Sequence, residues 1–205
     1  MKHIIINVGR QVGSGGHEIG RMLAKEFNAI YYDKELLNLA AKESGFSEKF
    51  FAENDERKGF LRGLFNLQSP HISGGSFYGS NFSQEGLFQF QSDAIRKAAN
   101  EGSCVFLGRC ADYILRDYEN VVNIFITASM DFRTDIICKS RHLDHEQARK
   151  FIESHESRRA KYYNYYTGKK WGAAESYDLC IDVSILGIEE SGKLIAEFIR
   201  KRFNL

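Results

Sequence analysis

The stretch "IIINVGRQVGSGGHEIGRMLAKEF" (4–27) constrains this chain more than any other. An apolar run of strand length, "HIIINV" (3–8), reaches Gly9 and then a turn holding Gly13, Ser14, Gly15 and Gly16. Ile19, Met22, Leu23 and Phe27 follow at helical spacing, so a helix begins where the turn ends. Glycines between a buried strand and a helix let the backbone turn tightly and approach an anion, and the helix dipole adds partial positive charge. Gly13, Ser14, Gly15, Gly16 and His17 are therefore candidate phosphate-binding residues. A tight strand-to-helix turn without a ligand is the alternative.

The usual phosphate loop reads Gly-x-x-x-x-Gly-Lys-Ser/Thr. With Gly15 in the place of the second glycine, Arg10 takes the first, Gly16 the lysine and His17 the hydroxyl residue. The backbone cradle survives these changes. The lysine's grip on the terminal phosphates and the hydroxyl ligand to magnesium do not. Arg10 and His17 are nearby polar candidates for compensation, and arginine can hold phosphate through a two-pronged fork.

Strand-like runs recur at 29–32, 103–108, 121–127 and 177–183. Between and after them, helical patterns occupy 34–44, 87–102, 110–118, a segment from about Met130, 144–166 with Asp144 as N-cap, and 189–203. Such alternation predicts an α/β fold, a parallel five-stranded sheet with helices on both faces. Ligands of such sheets bind beyond the C-terminal strand ends, here 9–18, 33–37, 108–113, 127–133 and 182–187. Residues 46–84 lack a clear period and read as an insert. Within it, "NLQSPHISGGSFYGSNFSQ" (66–84) holds the only proline, Pro70, and reads as a long surface loop.

A length of 205 residues suits one domain with a small insert, and a net charge of +1 argues against nucleic acid as the main partner. The four cysteines are scattered, without metal-ligand spacing. With no signal peptide and no long apolar run, they imply a reducing, cytoplasmic setting and no membrane partner.

The segment 158–171 is the most unusual in composition: Arg158, Arg159, Lys161, Lys169 and Lys170 alternate with Tyr162, Tyr163, Tyr165, Tyr166 and Trp171. Fork-like cations can stabilise a transferring phosphoryl group, and aromatic faces can stack on a base. A solvated charged helix with core-packed tyrosines is the plainer alternative, and single-strand nucleic-acid binding a more distant one.

Taken together, "GRQVGSGGHEIG", "YYDKELL", "FLGRCADYIL" and "RRAKYYNYYTGKKWG" resemble the cytidylate kinase-like family of P-loop proteins. The resemblance spans nearly the whole chain. It implies a P-loop kinase fold as a single domain over 1–205, with a core of 1–45, 86–140 and 172–205. An acceptor-side insert would span about 46–85 and a basic helical lid about 141–171. It further implies ATP and Mg²⁺ as cofactors, with Asp33 or Glu18 the nearest carboxylates for the metal, though no metal ligand is assigned. Arg10, Arg109, Arg158 and Arg159 are the expected catalytic residues. Acceptor binding falls to Asp33, Lys34, Arg96, Arg109 and Asp112, with Gln91 near Arg96. Arg133, Arg158, Arg159, Lys161 and Lys169 are assigned to the lid. Asp33 could instead cap the helix 34–44, and Arg109 could pair with Asp112. The lid keeps arginines of cytidylate kinases but has Tyr in place of their acids.

The expected activity is transfer of the ATP γ-phosphoryl group to a nucleoside monophosphate such as CMP or dCMP. A non-catalytic nucleotide or anion binder, and a kinase for another small-molecule acceptor, remain open alternatives. The partner is a nucleotide or other phosphate-bearing small molecule, and a homo-oligomer is left open.

Overall fold

A strand that is apolar on both faces must lie between two neighbours and under helices on both sides. The first strand, β1 (Ile5–Arg10), does so: it pairs in parallel with β3 (Cys104–Leu107) on one side and β4 (Val121–Thr127) on the other. The structure is a computed structural model and describes residues 3–33 and 84–205. Two further strands, β2 (Ile30–Tyr32) and β5 (Leu179–Asp182), complete a parallel sheet of order β2-β3-β1-β4-β5. Described helices are α1 (Gly16–Glu26), α2 (Gln84–Glu101), α3 (Ala111–Ile114), α4 (Met130–Arg141), α5 (His145–Thr167) and α6 (Val183–Phe203).

Strand alternation divides the core. Ile4, Ile6 and Val8 pack toward α1 and α6 with Ile19, Leu23, Ile195 and Ile199. Ile5 faces the other way, into a cluster with Phe106, Ile95, Leu115 and Tyr163. Each fully buried aliphatic side chain contributes about 2 kcal/mol. A third, smaller cluster joins Val12 of the glycine turn to Ile137 of α4 and to Ala148 and Ile152 of α5.

The helix ends follow local chemistry. Asp144 caps α5 by accepting from the Gln147 amide at 2.8 Å, while its own amide donates to Gln147 Oε1 at 3.1 Å. That box fixes where a 23-residue basic helix starts. The final helix begins at Val183 rather than at 189, because Asp182 accepts from the Ser184 amide; Gly187 (φ 79) then interrupts it. The predicted helix 34–44 lies outside the described residues, as do the predicted loop 66–84 and the insert up to residue 83; Gln84 already opens α2. No described helix is long and apolar enough to cross a membrane.

Candidate active site

The glycine turn is built as its sequence implies, with Gly13 and Gly15 at φ +79 and +75. Neither has room for a side chain. A Cβ on Gly13 would lie 2.7 Å from the Arg133 carbonyl oxygen, and one on Gly15 2.5 Å from Ile188 Cδ1. Ser14 is fully buried; its hydroxyl donates to the carbonyls of Gln11 (3.0 Å) and Ile126 (3.2 Å) and is committed to the scaffold. Gly15 caps α1 without a side-chain bond, and Ile19 is the residue whose amide returns to the Gly15 carbonyl (3.1 Å). The first-turn amides of α1 therefore have no helical acceptor, which is the anion-binding property of a helix start.

Gly16, which stands in the place of the usual lysine, is backed by Arg10. A Cβ on Gly16 would meet Arg10 Cγ at 2.6 Å and Cβ at 2.7 Å. The Arg10 guanidinium continues across to Gly108, where Nη1 fills the place a Cβ would take. Its Nε is buried and has no hydrogen-bond partner. Burial, then the charges of Arg159 and Arg109, push the Arg10 pKa down to about 9, so it is still a cation at neutral pH. Three guanidiniums with this little opposing charge make a site that favours an anion.

Arg109 reaches the same place through a left-handed turn. Gly108, Arg109 and Cys110 have φ of 73, 60 and 57. Two consecutive non-glycine residues there cost about 1–3 kcal/mol each, strain typical of functional turns. The turn ends β3 beside β1, which brings Arg109 against Arg10 and the Tyr162 hydroxyl.

The basic helix α5 is docked rather than free. Arg159 Nη1 donates to the Arg10 carbonyl at 2.9 Å, and Glu156 Oε1 accepts from the Val12 amide at 2.6 Å. Glu156 also lies 3.8 Å from Arg133 Nη1. Burial raises the Glu156 carboxyl above its ordinary value, and burial lowers Arg159. His17, bonded to the Tyr31 hydroxyl at 3.1 Å, is held neutral by burial and by Arg10.

Between α5 and the strand ends lies a cavity of about 660 Å³. Of the residues predicted from sequence, it gathers Arg10, His17, Asp33, Arg109, Asp112, Arg158 and Arg159. Gly13, Ser14, Gly15 and Gly16 do not line it, while Gly9, Arg10 and His17 on either side of the turn do. Arg96 lies away from it, paired with Asp93 at 3.3 Å, and Arg133 is 6% exposed and donates to the Ala128 carbonyl at 3.0 Å. Lys161 and Lys169 are not among its lining residues; burial raises the Asp112 pKa above its ordinary value, and the charge of Lys169 opposes that rise. Gln91 is buried and accepts from Tyr162. Lys34 lies outside the described residues.

Sequence reasoning missed Asn7, Arg141, His155 and Tyr177, which line the cavity, and Glu156, which ties α5 to the turn. The signal available for Asn7 was an amide inside an otherwise apolar strand.

Among the described residues no group of three or more His, Cys, Asp and Glu side chains forms a metal cage. Of the carboxylates, Asp33 and Asp112 line the cavity and are the groups there that could serve a divalent cation.

No curated protein matches the chain. A protein from Eubacterium ventriosum, itself described as uncharacterized, is 28% identical, with a TM-score of 0.73 over 96% of this chain and 98% of that one. Shikimate kinase from Bacteroides thetaiotaomicron is 13% identical, with a TM-score of 0.53 over 97% and 99%; that likeness shows the P-loop kinase fold. A model of the cytidylate kinase-like family matches residues 5–185, and the chain belongs to that family.

Proposed function

We propose that the protein is a phosphotransferase moving the γ-phosphoryl group of ATP to a nucleoside monophosphate such as CMP or dCMP, with Arg10 in the role of the loop lysine. The observation that carries this reading is the position of Arg10. Its stem occupies the space a residue-16 side chain would need, and its guanidinium lies against Gly108 at the Arg109 turn. The charge missing from the loop is thus supplied from the strand before it.

Phosphoryl transfer needs placement and charge neutralisation more than a covalent nucleophile. The free amides at the start of α1 would hold donor phosphates. Arg109 would fix the acceptor phosphate. Arg10, touching both turns, would neutralise the group in flight, and Arg158 and Arg159 would close the charge from α5. Magnesium, when bound on the phosphates, adds further neutralisation there.

One observation favours a second reading, a nucleotide binder without transfer: the Glu156 carboxylate already holds the Val12 amide and docks α5 on the loop. A coupled ATP-consumption assay with magnesium and a panel of monophosphates, run beside calorimetry, separates the two. The proposal expects CMP- or dCMP-dependent turnover that Arg109→Ala abolishes in a folded protein. Tight nucleotide binding with no turnover for any acceptor would establish the binder instead.

A further inference from the structure

The basic helix α5 is fastened to the core from its first turns to its last. Near its start, Ala148 and Ile152 are fully buried with Val12 of the glycine turn and Ile137 of α4. Further along, Glu156 Oε1 accepts from the Val12 amide at 2.6 Å, and Arg159 Nη1 donates to the Arg10 carbonyl at 2.9 Å. The last two turns meet α2 and α3. Tyr163, 5% exposed, donates to Asp112 Oδ2 at 2.6 Å. Tyr162 donates to Gln91 Oε1 at 3.2 Å and Tyr165 to Glu85 Oε1 at 2.9 Å. The Tyr166 ring stacks on Phe88, with centroids 4.0 Å apart and planes 8° from parallel.

The exit from the helix is held as well. Gly168 and Gly172 have φ of 68 and 74, where the chain turns sharply. Between them, the Trp171 amide donates back to Asn164 Oδ1 at 2.8 Å, and its ring lies edge-on to Phe125 of β4 with centroids 5.3 Å apart. Swinging α5 outward would break its contacts to the turn, α2, α3 and α4 together. It would also strip buried polar groups such as Asp112 of their partners, which is costly. All these partners are protein groups, so the docking asks nothing of a ligand.

We infer that α5 is a fixed strut rather than a lid that opens, and that Glu156 is the positioning residue that sets it against the glycine turn. Glu156 does not line the cavity, while Arg158 and Arg159 on the next turn do. The anchor and the charges thus share one rigid element. This rests on the phosphotransferase reading above for what the arginines serve, and adds that their placement precedes binding.

The first test is hydrogen exchange at the Val12 amide, read by NMR on the full chain with no ligand added, because its acceptor belongs to α5. Exchange is expected to be slowed at least about a hundredfold below the open-chain rate. Glu156→Ala should speed it about tenfold or more, while the Cys104 amide, bonded to the Ile4 carbonyl in the sheet, stays slow. Val12 exchange at the open-chain rate in wild type overturns the inference, as does protection that Glu156→Ala leaves unchanged.

The second test ties α5 to α2. Glu85→Cys/Tyr165→Cys, in a chain also carrying Cys138→Ser and Cys180→Ser, is joined by a short bis-maleimide. Association of ATP with magnesium is followed by the fluorescence of Trp171, the single tryptophan, which lines the cavity. Tethered and untethered chains should associate at rates within about threefold of each other. A larger fall on tethering shows that α5 must open and overturns the inference. If ATP binds neither chain, the phosphotransferase reading fails, and Val12 exchange decides the strut by itself.

Discussion

Two left-handed turns stand at the ends of adjacent parallel strands, and they are made for different ends. In the turn after β1, positive φ falls on glycines, and their missing side chains are replaced by a backbone carbonyl and by Ile188. In the turn after β3, positive φ continues through Arg109 and Cys110, where side chains strain it. The first turn gives up side chains to bring backbone amides close. The second accepts strain to aim a guanidinium. Arg10 joins them, its stem against Gly16 and its head against Gly108. The difference teaches that, on the proposed function, cradle and charge, usually combined in one loop, are divided between two strand ends.

The division can be broken at either turn. The largest effect is expected from Gly13→Ala. Its Cβ would meet a backbone carbonyl that no rotamer change can move, at a φ of +79. Strain and overpacking together predict a loss of about 3 kcal/mol or more in urea unfolding. A near-neutral result would mean that the turn is not held against α4.

Arg109→Gly should act in the opposite sense on stability. It relieves a strained φ and removes one of three crowded cations, so stability should rise by about 1 kcal/mol. Phosphate affinity should fall by about tenfold or more, as for the loss of a charge-assisted bond. Reduced stability with unchanged phosphate affinity would show Arg109 to be a structural ion-pair partner.

The smallest effect is expected from Glu156→Gln, which keeps an acceptor for the Val12 amide but cannot ionise. Because burial raises the folded-state pKa of Glu156, the folded chain takes up this proton before the unfolded chain does. Wild-type stability relative to the Gln variant should therefore grow as pH falls from 7 toward the ordinary value of 4.5. A pH-independent difference would remove Glu156 from the buried contact between α5 and the turn.

The sheet and most helices were legible because strand burial and helical periodicity are local properties. The Asp144 cap and the glycine turn were equally readable, since each depends on a few adjacent residues. The composition of 158–171 marked a basic segment, yet its three lysines, Lys161, Lys169 and Lys170, do not line the cavity while Arg158 and Arg159 do. Helix rotation decides that for Lys161, and the end of α5 at Thr167 for the two lysines beyond it; composition carries neither. Arg10 was visible as a candidate replacement for the lysine; that its stem fills the space beside Gly16 depends on how the strand end folds over the helix start. Glu156 was not legible, because its partner Val12 lies 144 residues away. Asn7 was read as part of an apolar run, and only its orphaned carbonyl against the cavity distinguishes it.

The central claim, that Arg10 replaces the loop lysine, is tested most directly by moving the charge back. Gly16→Lys alone should be inactive, because its Cβ would meet Arg10 at 2.6 and 2.7 Å. Arg10→Gly alone should lose about a hundredfold or more in kcat with the fold intact, the scale of removing a transition-state charge contact. The double variant Arg10→Gly/Gly16→Lys has both the space and the charge, and turnover should return at least tenfold above either single variant. A double variant no more active than the two single ones would contradict the account.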